Sequence, residues 1–320
     1  MIYTVTLNPS IDYIVNLNQL VEGRVNRVSM EYFYAGGKGV NVSQILNEHG
    51  IRNCALGFIS GFTGDFIQDT LTKKGIKTDF IRLSEGYSRI NMKIKTDQEE
   101  TEINGMGPKL PQEEIDRLYR QLDALTSNDT LVLAGSIPAT LSEDFYEKVM
   151  KYVQKKEVKV VVDATKNLLL NVLKYRPFLI KPNHHEIAEM FEVTITKTDE
   201  LLHYGTRLKE MGARNVLISM GGEGAILLAE NGEIYRSNVP KGTVKNSVGA
   251  GDSMVAGFLA GFEKNACYEE ALRLGAASGS ATAFSSDVAT LDEIMKLVQE
   301  INIQKLSGGG ISNENYRFIK

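Results

Sequence analysis

Only two cysteines, Cys54 and Cys267, occur in 320 residues, and they lie far apart without forming a C-x-x-C pair. That excludes a disulfide framework and a thiolate zinc site. Histidine is scarce as well: of four in the chain, His184 and His185 are adjacent. A helical zinc pair would stand at i and i+4. Positive charge is not in excess, since 36 Lys plus Arg face 40 Asp plus Glu for a net charge of -4. The basic footprint of a nucleic-acid binder is therefore missing, and an anionic ligand would need a local basic pocket. No apolar run reaches the length of a membrane span. The opening "MIYTVTLNPS" lacks a basic segment ahead of a long apolar stretch. No secretory signal is read, and a cytoplasmic protein with no membrane partner is expected. What is present, 42% hydrophobic and 24% charged residues, is the composition of an ordinary globular protein. No internal repeat is evident.

Short β-branched runs alternate with amphipathic stretches. "IYTVTL" (2–7), "CALGFI" (54–59), "TLVLAG" (130–135), "VKVVVDA" (158–164), "FLIKPN" (178–183) and "NVLISMG" (215–221) read as buried strands. "DFYEKVMKYVQKK" (144–156) and "ELLHYGTRLKEMG" (200–212) read as helices. The alternation predicts an α/β fold with a mostly parallel central sheet. In such sheets ligands collect beyond the carboxyl ends of the strands. Asn8, Gly135, Ser136, Asp163, Asn183, Gly221 and Gly222 stand at those ends.

Two stretches break the alternation. Residues 10–35 and 86–104 read as extended and hairpin-like; in the second, "INMKIKT" alternates, "DQEE" turns and "TEIN" returns. They predict a small β-sheet lid over the sheet edge. The chain is thus divided into a discontinuous core (1–9, 36–85, 107–305), a lid (10–35, 86–106) and a glycine-rich, flexible tail (306–320).

Two glycine motifs carry the chemistry. "YAGGKGVNVS" (34–43) gathers Gly36, Gly37 and Gly39 around Lys38, ahead of Asn41. It is not the nucleotide phosphate loop, because Gly39 stands where Ser or Thr should follow the lysine. "NSVGAGDSMVAGFLAGF" (246–262) places Gly249, Ala250 and Gly251 at the start of an apolar helix, followed by Asp252. Free amides and the dipole at such a terminus receive an anion. A carboxylate there repels the anion unless it takes a proton from an attacking hydroxyl. Asp252 as a mere first-turn acid stays open. Gly257 and Gly261 are read as close helix–sheet packing. In "KPNHHE" (181–186), Asn183 and Glu186 could hold a hydrated Mg²⁺ or simply form a capping box. "SMGGEGA" (219–225) is either a tight hairpin or a nucleotide contact. In "LAGSIP" (133–138), Ser136 could bond a ligand, but no nucleophile elbow is present. A Rossmann dehydrogenase is disfavoured because no G-x-G-x-x-G follows the first strand. A binding protein without turnover would lack the base, and Asp252 is there.

In this order the motifs resemble those of the ribokinase-like, PfkB-type carbohydrate kinases, over nearly the whole chain from Met1 to the helix before the tail. "GGKGVNV" and "VGAGDSMVAGF" look like the family's two signatures; "LNPSID", "TEINGMGP", "LAGSIP", "KPNHHE" and "GSATAFS" look like its hexose-phosphate branch. The resemblance implies a three-layer α/β/α core and ATP- and Mg²⁺-dependent phosphorylation of a ketohexose monophosphate. D-fructose 1-phosphate is the first choice and tagatose 6-phosphate the second. It also implies roles. Asp252 would be the base, with Gly249, Ala250 and Gly251 stabilising the transferring group. Lys181, Asn183, Ser219, Gly221, Gly222 and Gly224 would bind ATP, and Asn183 with Glu186 the metal. Asp12, Gly36, Gly37, Asn41 and Ser136 would bind sugar hydroxyls. Lys38 and Arg89, joined by Arg24, would hold the substrate's own phosphate; relatives specific for free sugars often carry Asp or Asn where Lys38 stands. A homodimer through the lid is expected.

Overall fold

The computed structural model describes residues 1–96, 98–138 and 140–306. The expected flexible tail beyond Leu306, and Asp97 of the expected turn, lie outside the described residues. Among the described residues fourteen strands follow in chain order: β1 (Ile2–Thr6), β2 (Ser10–Asn16), β3 (Met30–Gly36), β4 (Asn53–Ile59), β5 (Lys77–Arg82), β6 (Arg89–Lys95), β7 (Glu100–Asn104), β8 (Thr130–Ala134), β9 (Lys159–Asp163), β10 (Leu179–Ile180), β11 (Asn215–Ser219), β12 (Ala225–Leu228), β13 (Ile234–Ser237) and β14 (Ile303–Leu306). The helices are α1 (Lys38–Glu48), α2 (Gly61–Lys73), α3 (Gln112–Leu122), α4 (Phe145–Val153), α5 (Lys166–Val172), α6 (His184–Met190), α7 (Thr198–Glu210), α8 (Ala250–Asn265), α9 (Tyr268–Ala283) and α10 (Leu291–Val298).

A 10-stranded sheet runs in the order β14-β13-β12-β11-β10-β9-β8-β1-β4-β5. From β5 to β11 every pairing is parallel, whereas β12, β13 and β14 add an antiparallel edge, of which the sequence signals only the β11–β12 hairpin at "SMGGEGA". One hydrophobic cluster lies under α3 to α7 and includes Leu118, Val149, Leu169, Ile187 and Leu201. Another, with Val42, Val255, Leu272 and Ile294, lies under α1, α8, α9 and α10. The sheet is therefore covered on both faces, which is why its strands read as continuous apolar runs. "FLIKPN" yields only Leu179–Ile180 as strand because Pro182 has no amide and the chain turns into α6. The expected helix–sheet packing of Gly257 and Gly261 is instead helix–helix packing. An added Cβ would meet Ser278 Oγ at 2.4 Å and Ala271 Cα at 2.8 Å, both on α9.

Gly57, in the fully buried β4, shows how tightly β4 lies on β1. Its φ is +142°, and an added Cβ would stand 2.0 Å from the Thr6 carbonyl oxygen. Gly57→Ala should destabilise the fold by about 3 kcal/mol, from backbone strain plus overpacking. A thermal melt with an unchanged midpoint would refute this.

The stretches read as extended form a 4-stranded sheet of order β3-β2-β6-β7. β2 and β6 pair in parallel, and each has its antiparallel partner on the outside. The register sets Ser10 beside Arg89, Asp12 beside Asn91 and Asn91 beside Asn104. With a period of two, Arg89, Asn91, Lys93 and Lys95 share one face of β6.

Candidate active site

The parallel strands end along one edge of the large sheet. Their last residues and the N-termini of α1, α6 and α8 line a cavity of about 410 Å³, and the second sheet supplies the opposite wall. From the sheet come Ser136, Asp163 and Lys181; from the helix termini, Gly37, Lys38, Asn41, Asn183, Glu186, Gly249, Gly251 and Asp252. Asp12, Arg89, Asn91, Lys93, Glu102 and Asn104 come from the second sheet.

Asp252 is 5% exposed, and its Oδ2 accepts a hydrogen bond of 2.9 Å from Asn41 Nδ2. Burial pushes its carboxyl up to about 6; Lys38 opposes the rise and Asp163 adds to it. The group is thus placed to lose and gain a proton near neutral pH. Gly249 caps α8 in the left-handed conformation at φ 79°. An added Cβ at Gly249 would lie 3.3 Å from Asn41 Nδ2, and one at Gly251 would lie 2.9 Å from Lys181 Nζ. The first turn of α8 is therefore flanked by an amide donor and an ammonium, consistent with an anion at its terminus.

Asp163, at the end of β9, is the hub of the cations. Lys38 Nζ lies 3.2 Å and Lys181 Nζ 3.6 Å from its Oδ1. Burial alone would raise the Asp163 carboxyl, but Lys181 and Lys38 hold it below the usual carboxylate range. Burial likewise works against the Lys38 ammonium, which Asp163 and Asp252 hold above the usual lysine range. In the second sheet, Asp12 accepts from Ser10 Oγ at 2.8 Å, Asn91 Nδ2 at 3.3 Å and Lys93 Nζ at 3.2 Å.

Two smaller pockets flank this centre. A side pocket of about 210 Å³ is lined by Lys38 and Arg89 together with Asn8, Gly135, Ser136 and Thr165. The only hydrogen bond given by the Arg89 guanidinium to the described residues runs from Nε to the Asn8 carbonyl at 3.1 Å. A second, more apolar pocket of about 270 Å³ lies between the β11–β12 hairpin and α9. Ser219, Gly221, Gly222 and Gly224 form one wall, Ala276, Gly279, Ala283 and Phe284 the other, and Ala250 and Gly251 the end. Gly251 borders both this pocket and the central cavity, so the two spaces meet at the first turn of α8. Thr6 Oγ1, Asn8 Oδ1, Asn91 Oδ1 and Asp163 Oδ2 are buried around these spaces without a protein partner. Orphaned polar atoms are costly unless a ligand or water meets them.

Several expected details change. Asn183 and Glu186 do form the capping box: Asn183 Oδ1 accepts from the Glu186 amide and Glu186 Oε2 from the Asn183 amide, each at 2.8 Å. "SMGGEGA" is both a hairpin and a pocket wall. Gly36 and Gly37 also pack closely on the protein itself, since an added Cβ would stand 2.6 Å from Asp12 Cγ or 2.8 Å from Thr6 Cγ2, while Gly37 still lines the central cavity and the side pocket. Arg24 sits on the exposed connection between β2 and β3, not on the walls of these spaces. Asp163 reads from the sequence only as a strand end, and the signal for Lys93 is the alternation of "RINMKIK", which puts it on one face with Arg89. Among the described residues no group of three or more His, Cys, Asp or Glu is arranged to hold a metal, and no helix is long and apolar enough to cross a membrane.

A buried carboxylate at a helix N-terminus, in a cavity with a smaller pocket on either side, is a layout that suits direct phosphoryl transfer. The chain belongs to the pfkB family of carbohydrate kinases, whose profile matches residues 5–294. It is 47% identical over 306 residues to 1-phosphofructokinase of Bacillus subtilis (strain 168), covering 96% of this chain and 100% of that protein. It is 37% identical over 303 residues to D-tagatose-1-phosphate kinase of Bacillus licheniformis, covering 93% and 99%. Among solved structures, phosphofructokinase-2 of Escherichia coli in complex with substrates and products matches with a TM-score of 0.87 and 25% identity, over 93% of this chain and 98% of that one. The α/β fold with a large, mostly parallel sheet and a second small sheet is the fold expected from the sequence.

Proposed function

We propose that this protein transfers the γ-phosphoryl group of ATP to D-fructose 1-phosphate, yielding D-fructose 1,6-bisphosphate and ADP. The observation that carries the reading is the position of Asp252, between a two-cation side pocket and the apolar pocket that opens onto α8. The acceptor's phosphate is seated by Lys38 and Arg89. Its sugar ring lies against Asp12, Asn41 and Ser136, with its free primary hydroxyl toward Asp252. Asp252 removes that proton as the bond to phosphorus forms, so no covalent enzyme intermediate is needed. The adenine side of ATP enters the pocket of Ser219, Gly221, Gly222 and Gly224, and its phosphates run toward Lys181 and the α8 amides. Preorganised amides at Gly249, Ala250 and Gly251 stabilise the charge on the group in flight. Glu186 and Asn183 suit Mg²⁺ held through water, because the capping box occupies one of the roughly four lone-pair sites of the Glu186 carboxylate. The ion would offset phosphate charge when bound with the nucleotide. The similarity to 1-phosphofructokinase and D-tagatose-1-phosphate kinase supports a ketohexose 1-phosphate. Tagatose 6-phosphate remains the second reading, since the same residues would serve a substrate turned end for end.

An ADP-release assay comparing fructose 1-phosphate, fructose 6-phosphate, tagatose 1-phosphate, tagatose 6-phosphate and free fructose tests this. Turnover should be fastest with fructose 1-phosphate, and a preference for free fructose would overturn the reading. The pH profile is a second test. Asp252 must be ionised to accept a proton, and its pKa is raised to about 6, so kcat should fall as pH drops through about 6. A profile flat down to pH ~4.5, well below that value, would exclude Asp252 as the titrating base.

We also propose a homodimer. The face of the second sheet turned away from the cavity exposes Phe33, stacked on Tyr13 at 4.5 Å, together with Ile90 and Ile103. A second copy of this face would cover those side chains. Light scattering showing a monomer at micromolar concentration would refute it.

A further inference from the structure

β6 does more than carry acceptor contacts. Arg89, Asn91 and Lys93 line the central cavity, and Lys95, the next residue on that face, reaches past it. Lys95 Nζ donates to the Lys245 carbonyl at 3.3 Å and is steadied by Glu100, its cross-strand neighbour, also at 3.3 Å. Lys245 belongs to the segment 238–248, which has neither helix nor strand. Within it, Val244 and Ser247 line the apolar pocket, while Val248 lines the central cavity.

The segment is also tied to the far wall of the apolar pocket. The amides of Lys245 and Asn246 both donate to the Ala283 carbonyl, at 2.8 and 3.2 Å. Gly242 lies flat against the Phe284 ring, where an added Cβ would stand 2.2 Å from Cε2. A continuous set of contacts thus runs from the acceptor wall through Lys95 and Lys245 to Phe284.

We propose that Lys95 is a positioning residue that couples the two substrates: acceptor bound on β6 draws Lys95, and with it the 238–248 segment, onto the nucleotide pocket. The inference rests on the functional reading given above. A hydrogen-bonded strand moves as a unit, so a ligand held two to six residues along it shifts Lys95 too. Coupling between sites is reciprocal, so nucleotide should tighten acceptor binding by the same factor.

Calorimetry with a non-hydrolysable ATP analogue, with and without saturating fructose 1-phosphate, measures the effect without needing turnover. In the wild type the sugar phosphate should lower the Kd of the analogue about fivefold or more, within the usual range of coupling. In Lys95→Met that factor should fall to about twofold or less, while each ligand alone binds within about twofold of wild type. Lys95→Arg, which keeps a charged donor, should restore most of it. In turnover, Lys95→Met should raise KM for ATP at saturating acceptor more than it lowers kcat. Retained coupling in Lys95→Met overturns the proposal, as does weakening of each ligand alone by the same factor as in the ternary complex. A wild type that turns over sugar phosphate but shows no coupling sinks the inference alone; a wild type that couples the ligands without turnover sinks only the functional reading.

Discussion

Asp252→Asn should lower kcat about 10²- to 10⁴-fold while the KM for ATP and sugar phosphate stay near their wild-type values. The substitution keeps the size of the side chain and removes the acceptor of the proton. The hydrogen bond to Asn41 can be kept, because the new amide oxygen still accepts from Asn41 Nδ2, now 2.9 Å from Oδ2. Removing a buried negative charge also relieves repulsion toward the transferring phosphoryl group, so binding of ATP should not weaken. A loss confined to kcat is the signature of an interaction made only in the transition state. Turnover within a few-fold of wild type would show that the proton leaves by another route, and Asp252 would then be no more than a first-turn acid.

Lys38→Met should raise KM for the sugar phosphate by about 30- to 100-fold, as expected for loss of a charged hydrogen bond to phosphate, with little change in KM for ATP. Lys38 is the α1 residue shared by the side pocket and the central cavity, and Arg89 is the other cation common to both. Asp163 remains paired with Lys181 at 3.6 Å in the variant, so a buried carboxylate is not left without a cation. Methionine also retains most of the stem packing. Steady-state kinetics with each substrate varied at saturation of the other reads the split. A loss that falls mainly on ATP would place Lys38 on the donor side and undo the two-pocket assignment.

Much of this architecture can be read from local pattern. Residues 89–95 alternate and 100–104 return, because a strand with one apolar and one polar face must repeat every two residues. The glycine turn before Asp252 and the capping box of Asn183 and Glu186 are also local signals. What could not be read is where separate signals meet. Lys38 and Lys181 share Asp163 only because α1, β9 and β10 converge at one sheet edge. The parallel register of β2 on β6, which puts Lys93 within reach of Asp12, is set by packing between distant stretches. The edge strands β12 to β14 are short, four residues each, and too brief to show a period. Gly36 and Gly37 show the same limit. A glycine announces close approach, but whether ligand or protein fills the space depends on Asp12 and Thr6, which belong to other strands.

The two faces of β6 amount to two records written on one tape. Arg89, Asn91 and Lys93 face the central cavity and Lys95 the 238–248 segment beyond it, while Ile90, Met92 and Ile94, interleaved between them, face the other side. Substitutions can revise either record without touching the other, so the cavity lining and the outer face of the sheet are free to diverge separately. A single-residue insertion inside β6 would exchange the two records wholesale, turning isoleucines toward the cavity and lysines toward the apolar side. Length variation in this region should therefore be confined to the turn between β6 and β7.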